Sequence, residues 1–239
     1  MEIAGARALV TGGARRIGRA LCHALSERGA RVAIHCRTSL DEAHALARDC
    51  PGSVVLQADL ATAAACETLV AEARSRLGGL EILVNNAAVY ERTPLSELDE
   101  AAWDRTLAVN LKAPFFCSRA AGLEMREGGG GVIVNLGDWA ALRPSPGYLP
   151  YFASKAGLLA LTAGMARELA PLVRVNGVAP GAALLEEGTT PERLAKVARA
   201  APLGRLGGAE SVVSAVLFLI GNDFITGQTL TVDGGRSLR

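Results

Sequence analysis

The sequence predicts an α/β fold: a single doubly wound domain over residues 1–239, a parallel sheet of about seven strands with helices on both faces. Three observations predict it. Short apolar runs of strand length alternate with longer helical segments along the whole chain. Those runs are apolar on consecutive positions, as strands covered on both faces must be. The 239 residues are 50% apolar and 21% charged, which suits a chain with a large core and excludes a disordered or fibrous one. No linker, low-complexity tract or repeat of solenoid period interrupts the alternation.

The elements follow in order. "ARALVTG" is a buried strand, and "RRIGRALCHALSERG" a helix ended by Gly29. "ARVAIHCR" is the second strand, "DEAHALARDC" a helix and "SVVLQADL" the third strand. "ATAAACETLVAEARSRLGG" is an amphipathic helix closed by glycines, and "LEILVNNAA" the fourth strand. A long helical region runs from about Asp99 to Arg126, with a kink expected at Pro114. "GGGGVIVNLG" is a turn and fifth strand; "GYLPYFASKAGLLALTAGMARELA" carries a helix; "VRVNGVAPG" is the sixth strand. Residues 182–208 read as irregular, with a short helix near Pro191 to Ala200. "AESVVSAVLFLIG" is the last helix and "GQTLTVDGG" the last strand.

Bulk properties narrow the function. A formal net charge of +1 argues against a general nucleic-acid or acidic-membrane binder. No signal peptide or membrane-length apolar run is evident, so a cytoplasmic location is expected. The five cysteines are scattered without a Cys-x-x-Cys pair and read as reduced thiols; neither they nor the three histidines have metal-ligand spacing.

In such sheets ligands sit beyond the carboxyl ends of the strands. That rule brings Gly12, Asp59, Asn85, Asp138 and Pro180 to one edge. "VTGGARRIGRA" joins the first strand to the first helix there. Gly12, Gly13 and Gly18 allow backbone N–H groups to approach a pyrophosphate, and the helix N-terminus adds its positive dipole end. Arg15 and Arg16 add donors suited to phosphate or a planar polar heterocycle. After the second strand an acidic residue would favour the ribose hydroxyl of NAD. This chain has Arg37 with Thr38 and Ser39, which favours the 2′-phosphate of NADP. Tyr151 and Lys155 stand at i and i+4, on one helix face. An ammonium there would stabilise a phenolate and lower the tyrosine pKa.

The motifs "TGGARRIG", "ADL" at Asp59, "NNAA" at Asn85 to Ala88, "VN" at Asn110, "YFASK", "RVNGVAPG" and "ITGQTLTVDGG" resemble the short-chain dehydrogenase/reductases over essentially the whole chain. The resemblance implies a Rossmann-like NADP-binding domain. It makes Tyr151 the proton donor or acceptor, gives Lys155 the nicotinamide ribose, and lets Asn110 hold a water in the proton relay. Together these readings set Gly12, Arg15, Arg16, Ile17, Gly18, Arg37, Thr38, Ser39, Asp59, Leu60, Asn86, Ala87, Tyr151, Lys155, Pro180 and Gly181 against NADPH. The family's substrate loop falls at about 182–208, and its common tetramer implies a homotetramer here.

Two departures are informative. Thirteen residues before Tyr151 the family usually has Ser, and here stands Asp138; Arg16 replaces a usual glycine. Both occur in the subgroup of pteridine reductases and dihydromonapterin (dihydrofolate) reductases, which "NNAAVYERTPL" and the C-terminal "ITGQTLTVDGGRSLR" also resemble. The resemblance makes Tyr90 an aromatic that stacks on a pterin, beside Arg16, Asp138 and Tyr151. An ionised carboxylate would repel the oxyanion developing on a simple ketone, but it can accept from pterin N–H groups. The expected function is therefore NADPH-dependent reduction of a pterin, with folate activity as an extension. A carbonyl reductase of the same fold is the alternative, and a non-catalytic NADP-binding regulator a third reading. The bland reading of Asp138 is a turn cap. Trp139 carries no assigned role. Glu186 and Glu187 read by default as a solvated loop.

Overall fold

The computed structural model describes residues 1–183 and 188–238. Seven strands form one sheet: β1 (Arg7–Val10), β2 (Arg31–Cys36), β3 (Val54–Gln57), β4 (Ile82–Asn85), β5 (Gly131–Leu136), β6 (Val173–Pro180) and β7 (Thr229–Val232). All pairings are parallel, in the order β3-β2-β1-β4-β5-β6-β7. The order reverses between β1 and β4, and a crevice opens at such a switch point above the strand ends.

The helices are α1 (Arg16–Ser26), α2 (Leu40–Asp49), α3 (Ala63–Leu77), α4 (Glu100–Leu107), α5 (Ala113–Glu127), α6 (Leu149–Leu169), α7 (Pro191–Ala200) and α8 (Gly208–Gly221). Among the described residues no helix is long and apolar enough to cross a membrane. Successive strand side chains point to opposite faces, and the core divides accordingly. Ala8, Val10, Val32, Ile34, Val132 and Val134 pack on the face covered by α1 and α8. Leu9, Ala33, Leu83, Ile133 and Val175 pack on the face covered by α3, α5 and α6. Each fully buried Val, Leu or Ile contributes about 1.5–3 kcal/mol, so Leu9→Ala in mid-sheet would cost about 2–5 kcal/mol. All five cysteines are buried free thiols.

Residues 99–127 depart from the simple kink expected at Pro114. A π-helical segment, Ala108–Lys112, separates α4 from α5, and Pro114 lies in the first turn of α5. The helical path is therefore disturbed before the proline. Pro114 has no N–H to give the carbonyl four residues earlier, that of Asn110, so the two features relieve each other.

A second correction concerns Asn85. Its side chain does not face the crevice. It is buried at the end of β4, where Nδ2 donates to Ser118 Oγ at 2.9 Å and to Asn135 Oδ1 at 2.8 Å. Asn135 Nδ2 in turn donates to Thr162 Oγ1 at 3.0 Å. This row joins α5, β4, β5 and α6 through the centre of the molecule.

Candidate active site

At the phosphate end, β1 runs into the turn 11–15 and α1. Thr11 Oγ1 accepts from Asn86 N at 2.9 Å and Ala87 N at 3.0 Å. Asn86 Nδ2 donates to Thr11 O and Gly12 O at 2.9 and 3.0 Å, so the end of β4 clamps the turn from the side. Gly12 has φ 62°, and a Cβ there would meet Ala87 Cα at 3.0 Å. A Cβ on Gly18 would collide with the Gly12 carbonyl oxygen, so only glycine lets α1 start this close.

The N–H groups of Gly12 and Gly13 do not point at a phosphate, contrary to the sequence expectation. Gly12 N donates to His35 Nδ1 at 3.0 Å and Gly13 N to His35 O at 2.8 Å. The donors left for an anion are those of the first turn of α1, which have no intrahelical acceptor. Arg15 is exposed and pairs with Glu42 on α2, while Arg16 is exposed at the helix start. Arg16 has φ 52°, the one positive value among described non-glycine residues. It stands in a backbone conformation made for glycine.

Further along the crevice, Arg37 and Thr38 are exposed and Ser39 partly so. Asp59 is also exposed; its Oδ1 accepts from Ala61 N at 3.0 Å, which holds the turn carrying buried Leu60. Pro180 O accepts from Trp139 N at 3.2 Å. Gly181 leaves no room for a side chain against Asp233, whose Cα would lie 2.7 Å from its Cβ.

At the reacting end, Tyr151 and Lys155 lie in the first turns of α6, both buried. Tyr151 Oη donates to Asp138 Oδ2 at 2.8 Å. Asp138 Oδ1 accepts from Ala140 N at 2.7 Å, so this carboxylate is a turn cap and a partner of the tyrosine at once. Lys155 Nζ donates to Leu136 O at 2.6 Å and lies 5.8 Å from the centre of the Tyr151 ring.

The electrostatics correct the expectation of a lowered tyrosine pKa. Burial, then the charge of Asp138 and the hydrogen bond to it, push the Tyr151 phenol well above its ordinary value. Burial pulls the Lys155 ammonium down to about 8, against the opposing pull of Asp138. The Tyr151 phenol is thus held protonated, with its hydrogen bond directed to Asp138.

Asn110 is fully buried in the π segment. Its side-chain amide is engaged by a neighbouring stretch of backbone. Oδ1 accepts from Val89 N at 2.7 Å and Nδ2 donates to Val89 O at 2.8 Å. It thereby pins the strand-like stretch that carries Tyr90. The Tyr90 ring stacks on Tyr148, with centroids 4.6 Å apart and planes 11° apart, and meets the Tyr151 ring edge-on at 4.7 Å. A cavity of about 180 Å³ lined by Ile17, Asn86, Asp138, Tyr151, Lys155 and Pro180, among others, joins the phosphate end to the reacting end. A larger hollow of about 490 Å³ lies between α7, α8 and β7 and reaches this cavity at Ala183.

Residues 12–237 match the family model described as enoyl-(acyl carrier protein) reductase. The chain belongs to the short-chain dehydrogenase/reductase family. The L-xylulose reductase of Bos taurus is 38% identical over 244 residues, covering 98% of both chains. The 3-oxoacyl-[acyl-carrier-protein] reductase FabG of Staphylococcus aureus (strain Mu50 / ATCC 700699) is 35% identical over 237 residues, covering 95% of this chain and 96% of that one. Among solved structures, FolM alternative dihydrofolate reductase 1 from Brucella canis, complexed with NADP, superposes with a TM-score of 0.93 at 37% identity, covering 100% of this chain and 96% of that one.

As a short-chain dehydrogenase/reductase the protein is an oxidoreductase. The residues present fit a nicotinamide dinucleotide: the α1 start for the diphosphate, exposed Arg37 beyond β2, and buried Lys155 beside the cavity. Three contributors escaped the sequence reading. Thr11 and His35 lie inside strand-like apolar runs, where polar residues read as core. Tyr148 stands three residues before Tyr151, one helical turn away, a spacing that could have drawn attention to it. Trp139 is covered by the Arg236 guanidinium, 4.9 Å from its ring centre. Glu186 and Glu187 lie outside the described residues.

Proposed function

We propose that this enzyme reduces a pterin with NADPH, adding hydride and proton across a ring C=N bond to take a dihydropterin to the tetrahydropterin, with dihydrofolate or an oxidised pterin as related substrates. One observation carries the reading: the catalytic tyrosine rests on the Asp138 carboxylate. In a ketone reductase this carboxylate would oppose the phenolate left when Tyr151 gives up its proton. A pterin changes the balance, because its N–H groups donate to Asp138 and meet that charge. Tyr151 is then freed to protonate the ring nitrogen. Bound NADPH supplies the hydride. Lys155 holds the ribose, and Asn110 acts through Val89 to place Tyr90 against the flat face of the substrate. On this reading Asn110 also helps to hold a water of the proton relay. Arg16 reaches the polar edge of the pterin or the diphosphate, and Arg37, Thr38 and Ser39 take the 2′-phosphate. The FolM structures support this reading at 37% identity, including a second from Brucella suis also in complex with NADP. We place the whole chain in one coenzyme-binding domain, with residues 182–208 choosing the substrate and a homotetramer as the assembly.

A carbonyl reductase is the second reading, and the names of the xylulose and 3-oxoacyl reductases favour it. NADPH oxidation with dihydrobiopterin, dihydrofolate, L-xylulose and an acetoacetyl thioester, on wild type and Asp138→Ser, separates the two. Pterin turnover abolished by Asp138→Ser supports the proposal. Absence of pterin turnover in the wild type, with ketone reduction enhanced by Asp138→Ser, would assign the enzyme to the carbonyl reductases.

A further inference from the structure

His35 lies on β2 beneath the coenzyme crevice, 2% exposed, and the chemistry described above does not use it. It touches both walls of that crevice. On one side its Nδ1 takes the Gly12 N–H at 3.0 Å, and its main-chain oxygen takes the next N–H, that of Gly13, at 2.8 Å. On the other side its Nε2 lies 3.1 Å from Ala58 O, one residue before Asp59. A backbone N–H can only donate and a carbonyl can only accept. Both contacts are satisfied together by one form of the ring: neutral, with the proton on Nε2.

We propose that His35 is a positioning residue for the coenzyme: its neutral Nε2–H form sets the spacing between the phosphate turn and the loop of Asp59 and Leu60. The two glycine N–H groups it occupies are held away from the phosphates, and that fixes the path by which the turn enters α1. A proton on Nδ1 would set one donor against another. Gly12 would lose its acceptor while Gly13 kept its own, and the turn would loosen on one side only. Burial holds His35 below the ordinary histidine range, against the opposing effects of the Ala58 carbonyl and the Asp59 carboxylate. The ring therefore stays neutral at physiological pH and charges only in acid.

The test is coenzyme affinity by fluorescence titration across the neutral-to-acid range, for NADPH and NADH, on wild type and His35→Gln. The glutamine amide offers an acceptor and a donor but does not titrate. NADH serves because it lacks the 2′-phosphate, which itself titrates near pH 6. Wild-type affinity for both coenzymes should fall on the order of tenfold in acid, the worth of one buried hydrogen bond. His35→Gln should stay within about threefold of wild type at neutral pH and lose the acid dependence for NADH. An acid slope retained in His35→Gln with NADH would overturn the proposal. Nitrogen NMR of the wild-type imidazole decides independently of any variant's folding. Nε2–H at neutral pH supports the proposal, and Nδ1–H refutes it.

Discussion

The hydroxyl of Tyr151 donates to Asp138 at 2.8 Å, while the ammonium of Lys155 turns instead to the Leu136 carbonyl at 2.6 Å. The phenol thus answers first to a carboxylate. Asp138→Ser removes a charge and an acceptor that both hold its proton in place. The alkaline titration of Tyr151, followed by phenolate absorbance, should move down by about one pH unit or more. A titration that does not move would mean that burial alone holds the proton.

Lys155 makes the opposite contribution. Its folded value of about 8 lies below the ordinary 10.5, so between the two the unfolded chain binds a proton that the folded chain lacks. Stability from this group therefore rises with pH across that window and is lost as pH falls through it. Urea unfolding of wild type and Lys155→Met at about pH 7.5 and about pH 9.5 should show the wild type gaining relative to the variant. On the proposed function, in which the Lys155 ammonium holds the ribose, turnover should decline above about pH 8.

Arg16 sits at φ 52°, where an L side chain costs about 1 kcal/mol or more. Arg16→Gly should raise the unfolding free energy by about 1 kcal/mol and, on the proposed function, raise KM for NADPH or pterin. Equal stability in the two proteins would show that the turn stores no strain.

Asn110→Ala takes the side-chain partner from both the N–H and the carbonyl of Val89, which is partly buried. The expected loss is about 1–2 kcal/mol in chemical unfolding. On the proposed function, because Val89 precedes Tyr90, KM for the pterin should rise more than KM for NADPH. Asn110→Asp keeps the acceptor but not the donor, and should lie between. A uniform fall in kcat with both KM values unchanged would contradict a positioning role.

The fold was legible because β1 to β5 each carry three consecutive apolar residues, and glycines such as Gly78 and Gly128 close the helices before the next strand. Tyr151 and Lys155 were legible from helical spacing, and Asp138 from its register with them. What could not be read was direction. The sequence shows that Gly12 and Gly13 must turn tightly, but not that their N–H groups point back into His35. It shows an asparagine at position 110, but not that a neighbouring backbone consumes its amide. The π segment was hidden because its residues are ordinary helix formers, and the break depends on which carbonyls find partners. The Tyr90–Tyr148 stack joins residues 58 positions apart, a distance no periodicity spans.

The row Ser118–Asn85–Asn135–Thr162 crosses the central seam of the sheet. Replacing any one of these residues by an apolar one leaves its neighbours' polar atoms without partners where no water reaches them. Drift at these positions is therefore blocked one step at a time and open only to concerted change. In an alignment of relatives the four columns should vary together or not at all. They would then sort the lineages of this fold by ancestry independently of the substrates those lineages have come to use.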